Sequence, residues 1–338
     1  MTTATVRPHA GSAAVADSVP ARAPSFAAAP EPASDRDGVF ARATGWPLPG
    51  QGRTARRLTL LAAVAKRDLV LARLVEAHTD AVAVSAELGY PGVSAGQRWG
   101  VWAAGPPGSV TARRRDGRWT LDGIKSWCSG AASVTHALVD ASAPDGQRLF
   151  AVELDDPGVR ILPATWRGVG MRGSGTRSTS FTGVYADAVG QPGEYLSRPG
   201  FWAGAIGVAA CWHGGSRTVA QALYTRAGRD KADPIFLAHL GAVHTALAEN
   251  VAVLRSAAIE IDRRPVTDHA VLALTVRDTI ERNATEIIDR VGRALGPAPL
   301  AHDGPHAQSV ADLSVYVRQS HADHDRVEIG RRLIGTNA

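Results

Sequence analysis

The residues best equipped for chemistry in this 338-residue chain fall in two short segments. Near the C-terminus, Ser320-His321-Ala322-Asp323-His324-Asp325 sets two imidazoles among a hydroxyl and carboxylates, groups that take up and release protons near neutral pH. The spacing Val317, His321, His324, Glu328 continues the apolar stripe of Val310 and Leu313 and predicts one helix with both imidazoles on its inward face. Three fates are open to the pair: proton transfer at a site, a carbonyl cap beside a solvated ring, or metal binding with Asp325. Metal binding ranks last, because no fourth ligand lies in register. The second segment is Trp127-Cys128-Ser129, which by residue type alone is a core aromatic followed by a turn at a strand end. Glu249 stands alone on a helical stretch and reads as solvated. The run Arg113-Arg114-Arg115 reads as a strand edge.

The hydropathy pattern says which elements must hold these residues. From about Arg53 to Ala86, Leu58, Leu61, Ala65 and then Leu71, Leu74, Val75 recur at three- and four-residue steps, predicting two helices before a turn at Tyr90-Pro91-Gly92. Between about Gly100 and Tyr195 the period falls to two. Asp116-Gly117 marks a hairpin, and Pro144-Asp145-Gly146 and Asp156-Pro157-Gly158 mark further turns. The helical period then returns: Leu237 to Leu254 is one helix, Ile280 to Leu295 another, and a third runs from about Gln308. Helices, strands and then helices again make a segregated architecture with no alternating βαβ units.

Composition narrows the function classes. A 45% hydrophobic chain of this length can fill large cores, and a net charge of +5 without a long basic block argues against nucleic acid as a partner. Cys128 and Cys211 are too few for a disulfide framework and suit a reducing compartment. No membrane span or secretory signal is read from the sequence, so the expectation is a cytoplasmic protein with no membrane partner. The Ala/Pro-rich residues 1–38 are expected to stay flexible.

Two motifs inside this order of parts resemble the acyl-CoA dehydrogenase superfamily. One is the segment Trp119 to Ala131, containing Trp127-Cys128-Ser129; the other is Gly170-Met171-Arg172-Gly173-Ser174-Gly175-Thr176, followed by Phe181 and Val184. With Trp102 to Ser109 they span the β-region in family order. The resemblance implies an α+β multidomain fold. Its parts are a short N-terminal helical part (39–98), a central antiparallel β-barrel or sandwich (99–196) and a C-terminal four-helix bundle (197–338). It also implies FAD between the β-domain and the C-terminal helices, an acyl-CoA or similar small substrate, an electron-transfer or flavin-reductase partner, and a homodimer or homotetramer.

The resemblance further assigns roles by position. Ser129 would meet the flavin near N5, Trp127 would wall its ring with Cys128 between them, and Ala103 and Ala104 would serve through backbone groups where relatives use Thr. Ser109 would line the substrate path. The glycine-rich motif would shape the sheet near the cofactor, and Arg172 is left with two roles, a surface or interdomain salt bridge or, less favoured, a phosphate contact. For the outer half of FAD, Arg229 stands one residue from the usual Arg position, now Gly228, while Arg293 and Gly296 belong to a segment that a neighbouring subunit supplies. The usual catalytic Glu falls at Ser320, flanked by Gln319 and His321, with Glu249 as the relocated alternative. A dehydrogenase acting on an acyl thioester is the first expectation. The missing base keeps two others open: a flavin-dependent monooxygenase of the same fold, in which a late His and a Ser near N5 assist the reaction with oxygen, and a binding or assembly subunit without catalysis.

Overall fold

Asp68, Asp233 and Asp303 each start a helix by accepting backbone N–H groups that the first turn leaves without partners. A computed structural model describes residues 36–106, 108–227 and 233–335. Its elements in chain order begin with α1 (Arg36–Ala43), α2 (Thr54–Arg67) and α3 (Leu69–Glu87). Seven strands follow: β1 (Trp99–Trp102), β2 (Val110–Arg115), β3 (Arg118–Cys128), β4 (His136–Ala143), β5 (Gly146–Glu153), β6 (Val159–Ile161) and β7 (Arg177–Val189). The short α4 (Glu194–Ser197) leads to α5 (Phe201–Ala227), α6 (Pro234–Arg263), α7 (Ala270–Leu295), α8 (Ala298–His302), α9 (Gly304–Tyr316) and α10 (Asp323–Gly335). Of the N-terminal segment expected to be flexible, residues 1–35 lie outside the described residues and residues 36–38 already belong to α1.

The strand pairings run round a closed ring, β2 to β3, β7, β5, β4 and back to β2. Most are antiparallel, but β4 pairs parallel with both β1 and β2. Asp116 and Gly117 turn the β2–β3 hairpin with positive φ at both positions, the geometry that matches the twist of the flanking strands. Lys125 on β3 forms a buried ion pair with Asp140 on β4, whose other carboxylate oxygen accepts from Gln147.

The helices share one core. Leu58 and Leu61 of α2, Leu71 and Val75 of α3, Ile206 and Trp212 of α5, Leu247 of α6 and Ile280 of α7 belong to a single buried cluster. The helices on either side of the strands therefore pack as one body. Helix α3 also turns Ala81 and Val84 onto Trp99, Leu138 and Leu149 of the sheet, so it bridges the helical core and the strands. Helix α6 is long and apolar enough to cross a membrane by composition, a feature not expected from the sequence. Its apolar residues Val243, Leu247, Leu254 and Ile261 are nonetheless buried against other helices.

The tightest joint between strands and helices is the glycine-rich motif. A Cβ on Gly170 would lie 2.2 Å from the Ala311 carbonyl oxygen of α9, so only glycine permits this approach. Met171 follows in the left-handed region at φ 55°, and its N–H donates to the Asp312 carboxylate, which also accepts from Gln308 at 2.9 Å. Among the described residues Arg172 does not form the expected salt bridge. Its guanidinium donates to the carbonyls of Gly168 and Arg167, because the chain folds back over it before the short 3-10 turn Arg172–Ser174.

Asp312→Ala leaves the Met171 N–H buried without an acceptor and is expected to cost about 1–3 kcal/mol, while Asp312→Asn keeps an acceptor and costs less. Urea unfolding of both variants checks this, and equal stability of the alanine variant and the wild type would remove Asp312 from the joint.

Candidate functional site

A cavity of about 630 Å³ opens between the ends of β1 and β3, the Gly170–Thr176 turn and helices α3, α5, α7 and α9. Its flat wall comes from a fault in a strand. The pairing of β3 with β7 is irregular between Lys125 and Cys128, and there Trp127 adopts φ 62°. A bulge turns side chains away from the ladder, and the Trp127 ring is left 62% exposed with Trp166 edge-on at 6.2 Å. The Ser129 N–H donates to the Trp127 carbonyl, and the Ser129 carbonyl accepts from Trp102 Nε1 at 3.1 Å. The backbone on either side of this wall is thereby fixed.

Three hydroxyls converge beside it. Ser174 Oγ lies 2.8 Å from Thr176 Oγ1, which donates to Ser129 Oγ at 3.3 Å. Val101, Met171, Val208 and Val315 give the cavity apolar surface, and Tyr316, Arg73 and Arg277 also line it. Arg318, Gln319 and His321 complete the lining. No lining residue is a carboxylate.

His321 is 76% exposed, yet it is held in place. Its N–H donates to the Asp325 carboxylate at 3.1 Å, and its Nδ1 lies 3.3 Å from the other carboxylate oxygen. The expected single helix carrying both imidazoles is corrected here. Helix α9 ends at Tyr316, a 3-10 turn covers Val317–Gln319, and Ala322 at φ 47° breaks the chain before α10. The acids Asp323 and Asp325 favour a new helix start at this point. His324 therefore lies exposed in the first turn of α10, away from the cavity, and Ser320 Oγ accepts from the Ala322 N–H within the break.

The structure brings Ala104, Trp127, Ser129 and His321 together around the cavity. Gln319 and the motif residues Met171, Ser174 and Thr176 line it as well, while the other described candidate residues read from the sequence do not. Ala103 ends just past β1, and Ser109 offers its carbonyl to the Ile124 N–H. Cys128 points into the strand core, where burial pushes its thiol up to about 11. Glu249 is exposed on α6 and accepts from Asn283. Arg293 pairs with Asp289 on the surface, and Gly296 closes α7 with φ 68°. Arg229 lies outside the described residues. Among the described residues no group of three or more His, Cys, Asp and Glu could hold a metal ion, which leaves the His321, His324 and Asp325 idea without support.

Arg73, Arg277, Tyr316 and Trp166 are lining residues that sequence reasoning passed over. The two arginines carried a signal. Arg277 sits four residues after Ala273 and three before Ile280 on the buried stripe of α7, and Arg73 lies within the apolar run of α3. Behind the cavity, Glu76 pairs with Arg73 at 2.8 Å. Burial pushes the Glu76 carboxyl up to about 7, against the pull of Arg73.

Residues 103–184 match the acyl-CoA dehydrogenase middle domain. No curated protein matches the chain significantly in sequence. Among solved structures, TdsC from Paenibacillus sp. A11-2 in complex with FMN and indole superposes with a TM-score of 0.73 at 20% identity, covering 89% of this chain and 90% of that one. Methanesulfinate monooxygenase MsuC from Pseudomonas fluorescens gives 0.74 at 17% identity, covering 89% and 88%. A glutaryl-CoA dehydrogenase from Mycobacterium smegmatis in complex with FADH2 gives 0.72 at 16% identity, covering 83% and 80%. The fold is thus shared with a dehydrogenase and with monooxygenases alike.

The raised Glu76 carboxyl has a signed consequence for stability. The unfolded chain releases this proton near the ordinary glutamate value of 4.5 and the folded chain near 7, so between those values the folded state binds more protons and loses stability as pH rises. The stability of wild type minus that of Glu76→Gln should fall from about pH 4.5 to about pH 7 and level off above. Denaturant unfolding at several pH values checks this, and a difference that stays flat or rises over that range would refute the assignment.

Proposed function

From a chain that carries the middle domain and the fold of the acyl-CoA dehydrogenase superfamily, we propose a flavin-dependent monooxygenase that acts on a small substrate with oxygen. The observation that carries this reading is the cavity lining: it joins Ser129 to a carboxylate-oriented His321 and contains no carboxylate of its own. Removing a proton from the α-carbon of an acyl thioester needs a positioned base. The buried carboxylates nearby are engaged elsewhere, Glu76 with Arg73 and Asp325 with His321.

The residues present fit a flavin. A large aromatic left exposed beside converging hydroxyls is the surface that a flat heterocycle with polar edges would cover, and the cavity volume is that of an ordinary cofactor or ligand site. Trp127 would wall the ring and Ser129 would hydrogen-bond at its edge, as the resemblance places them. When bound and reduced, flavin supplies the two electrons that activate oxygen. The apolar side chains Val101, Met171, Val208 and Val315 keep water from the reacting face. Asp325 fixes the ring orientation of His321 through Nδ1, which leaves Nε2 to give or take a proton at the cavity mouth. The lining addresses the ring system, so FMN and FAD suit it equally, and a separate reductase supplies the reduced form. Arg293 and Gly296 turn away from this cavity, an arrangement consistent with service to a neighbouring subunit's cofactor and with a homodimer or homotetramer. Light scattering should find an oligomer, and a monomer at working concentration would remove that part of the reading.

The purified protein, titrated with FMN and FAD and followed by visible absorbance, should bind flavin. A panel of acyl-CoAs added without oxygen should leave it oxidised. His321→Ala should slow oxygen-dependent turnover by roughly 10²- to 10⁴-fold. Bleaching of the flavin by any acyl-CoA would restore the dehydrogenase reading, and failure to bind flavin would leave the non-catalytic subunit.

A further inference from the structure

Arg277 is only 8% exposed, yet among the described residues it forms no ion pair. Its guanidinium donates to the carbonyls of Ala205 and Gln319, each at 3.0 Å, and its charge sits 4.7 Å from the centre of the Trp212 ring. These bonds use two of the five N–H donors that a guanidinium carries. A buried cation without a carboxylate is costly to desolvate, and burial lowers the pKa of Arg277 accordingly. Glu76 and Asp325 favour its charge from a distance, but each is engaged by another cation or imidazole. The same cavity is lined by Arg73, whose Nε is buried without a hydrogen-bond partner while its Nη1 holds Glu76. Two guanidiniums with donors to spare thus line a cavity that contains no carboxylate.

We propose that this lining is an oxyanion subsite, and that the substrate carries a carboxylate, sulfonate or related anionic group held by Arg277 with Arg73 as second donor. This rests on the flavin reading above and narrows it to anionic substrates. A guanidinium fork matches the paired oxygens of such groups. The Trp166 ring and the apolar side chains Val208 and Val315 in the same lining suit a substrate whose remainder is flat and apolar. The carbonyl contacts of Arg277 join α5, α7 and the turn before His321, so an anion seated there lies between the helices and the mouth of the cavity.

The test compares benzoate with its neutral isostere benzamide. In the flavin-loaded protein each is titrated against the visible spectrum of the bound flavin, and in the flavin-free protein against tryptophan fluorescence. Benzoate should bind roughly tenfold to hundredfold more tightly than benzamide. Arg277→Gln should abolish that preference, Arg277→Lys should keep part of it, and Arg73→Gln should reduce it. Equal binding of the two probes by the wild type would overturn the proposal. Displacement of flavin by benzoate would also overturn it, assigning the cations to the cofactor's phosphate. If Arg277→Gln does not fold, an undiminished preference in Arg73→Gln and Arg277→Lys would be equally fatal. A benzoate preference in a protein that binds no flavin would keep the subsite while removing the flavin reading.

Discussion

The close approach of Gly170 to the Ala311 carbonyl sets how near the strands can come to the helices, and the cavity exists because of that spacing. A side chain at this position would push the Gly170–Thr176 turn off α9. Ser174 and Thr176 belong to that turn, and Tyr316 and the residues leading to His321 follow from α9. A shift of an ångström at the joint would therefore separate the hydroxyl side of the cavity from its imidazole side. The Met171 N–H held by Asp312 makes the same contact directional as well as close.

Electrostatics follow from where the joint puts the charges. The sides of the cavity nearest the strands are neutral, with indole and hydroxyl groups, while the sides nearest the helices carry guanidiniums. One buried acid, Glu76, lies a layer behind against Arg73, and the cavity lining itself carries no carboxylate. An arrangement of this kind favours anions and disfavours an ionised general base in the lining.

Much of the fold was legible because burial imposes its period on the residues. The stripes Leu58, Leu61, Ala65 and Ile280, Ala284, Ile287 follow the helical repeat, and Asp116-Gly117 turns where two-residue hairpins require positive φ. The break before α10 was not read, since His321 and His324 are spaced as one helix would space them and the apolar stripe leads straight into them. Helix-start acids at Asp323 and Asp325 were the competing signal, and they prevailed because Asp325 also binds the His321 N–H. Arg73 and Arg277 were visible as charges on apolar stripes, but no local pattern says that helices so distant in sequence line one cavity. Cys128 shows the converse: its neighbours Trp127 and Ser129 face the cavity, while the bulge sends its own side chain into the strand core.

The break at Ser320–Ala322 also bears on what the site can do. A continuous helix would have carried the His321 side chain on a rigid stripe, in the region where the resemblance places a glutamate. The break instead hangs His321 on Asp325, which binds its backbone N–H and its Nδ1 together. An imidazole so oriented presents its remaining nitrogen in one direction, which suits reversible proton transfer at a polar reaction centre better than abstraction from carbon. Arg277 holds the Gln319 carbonyl two residues before His321. The same cation that would receive an anionic substrate thus also steadies the segment carrying the proton-transfer group, so substrate binding and imidazole placement share one side chain.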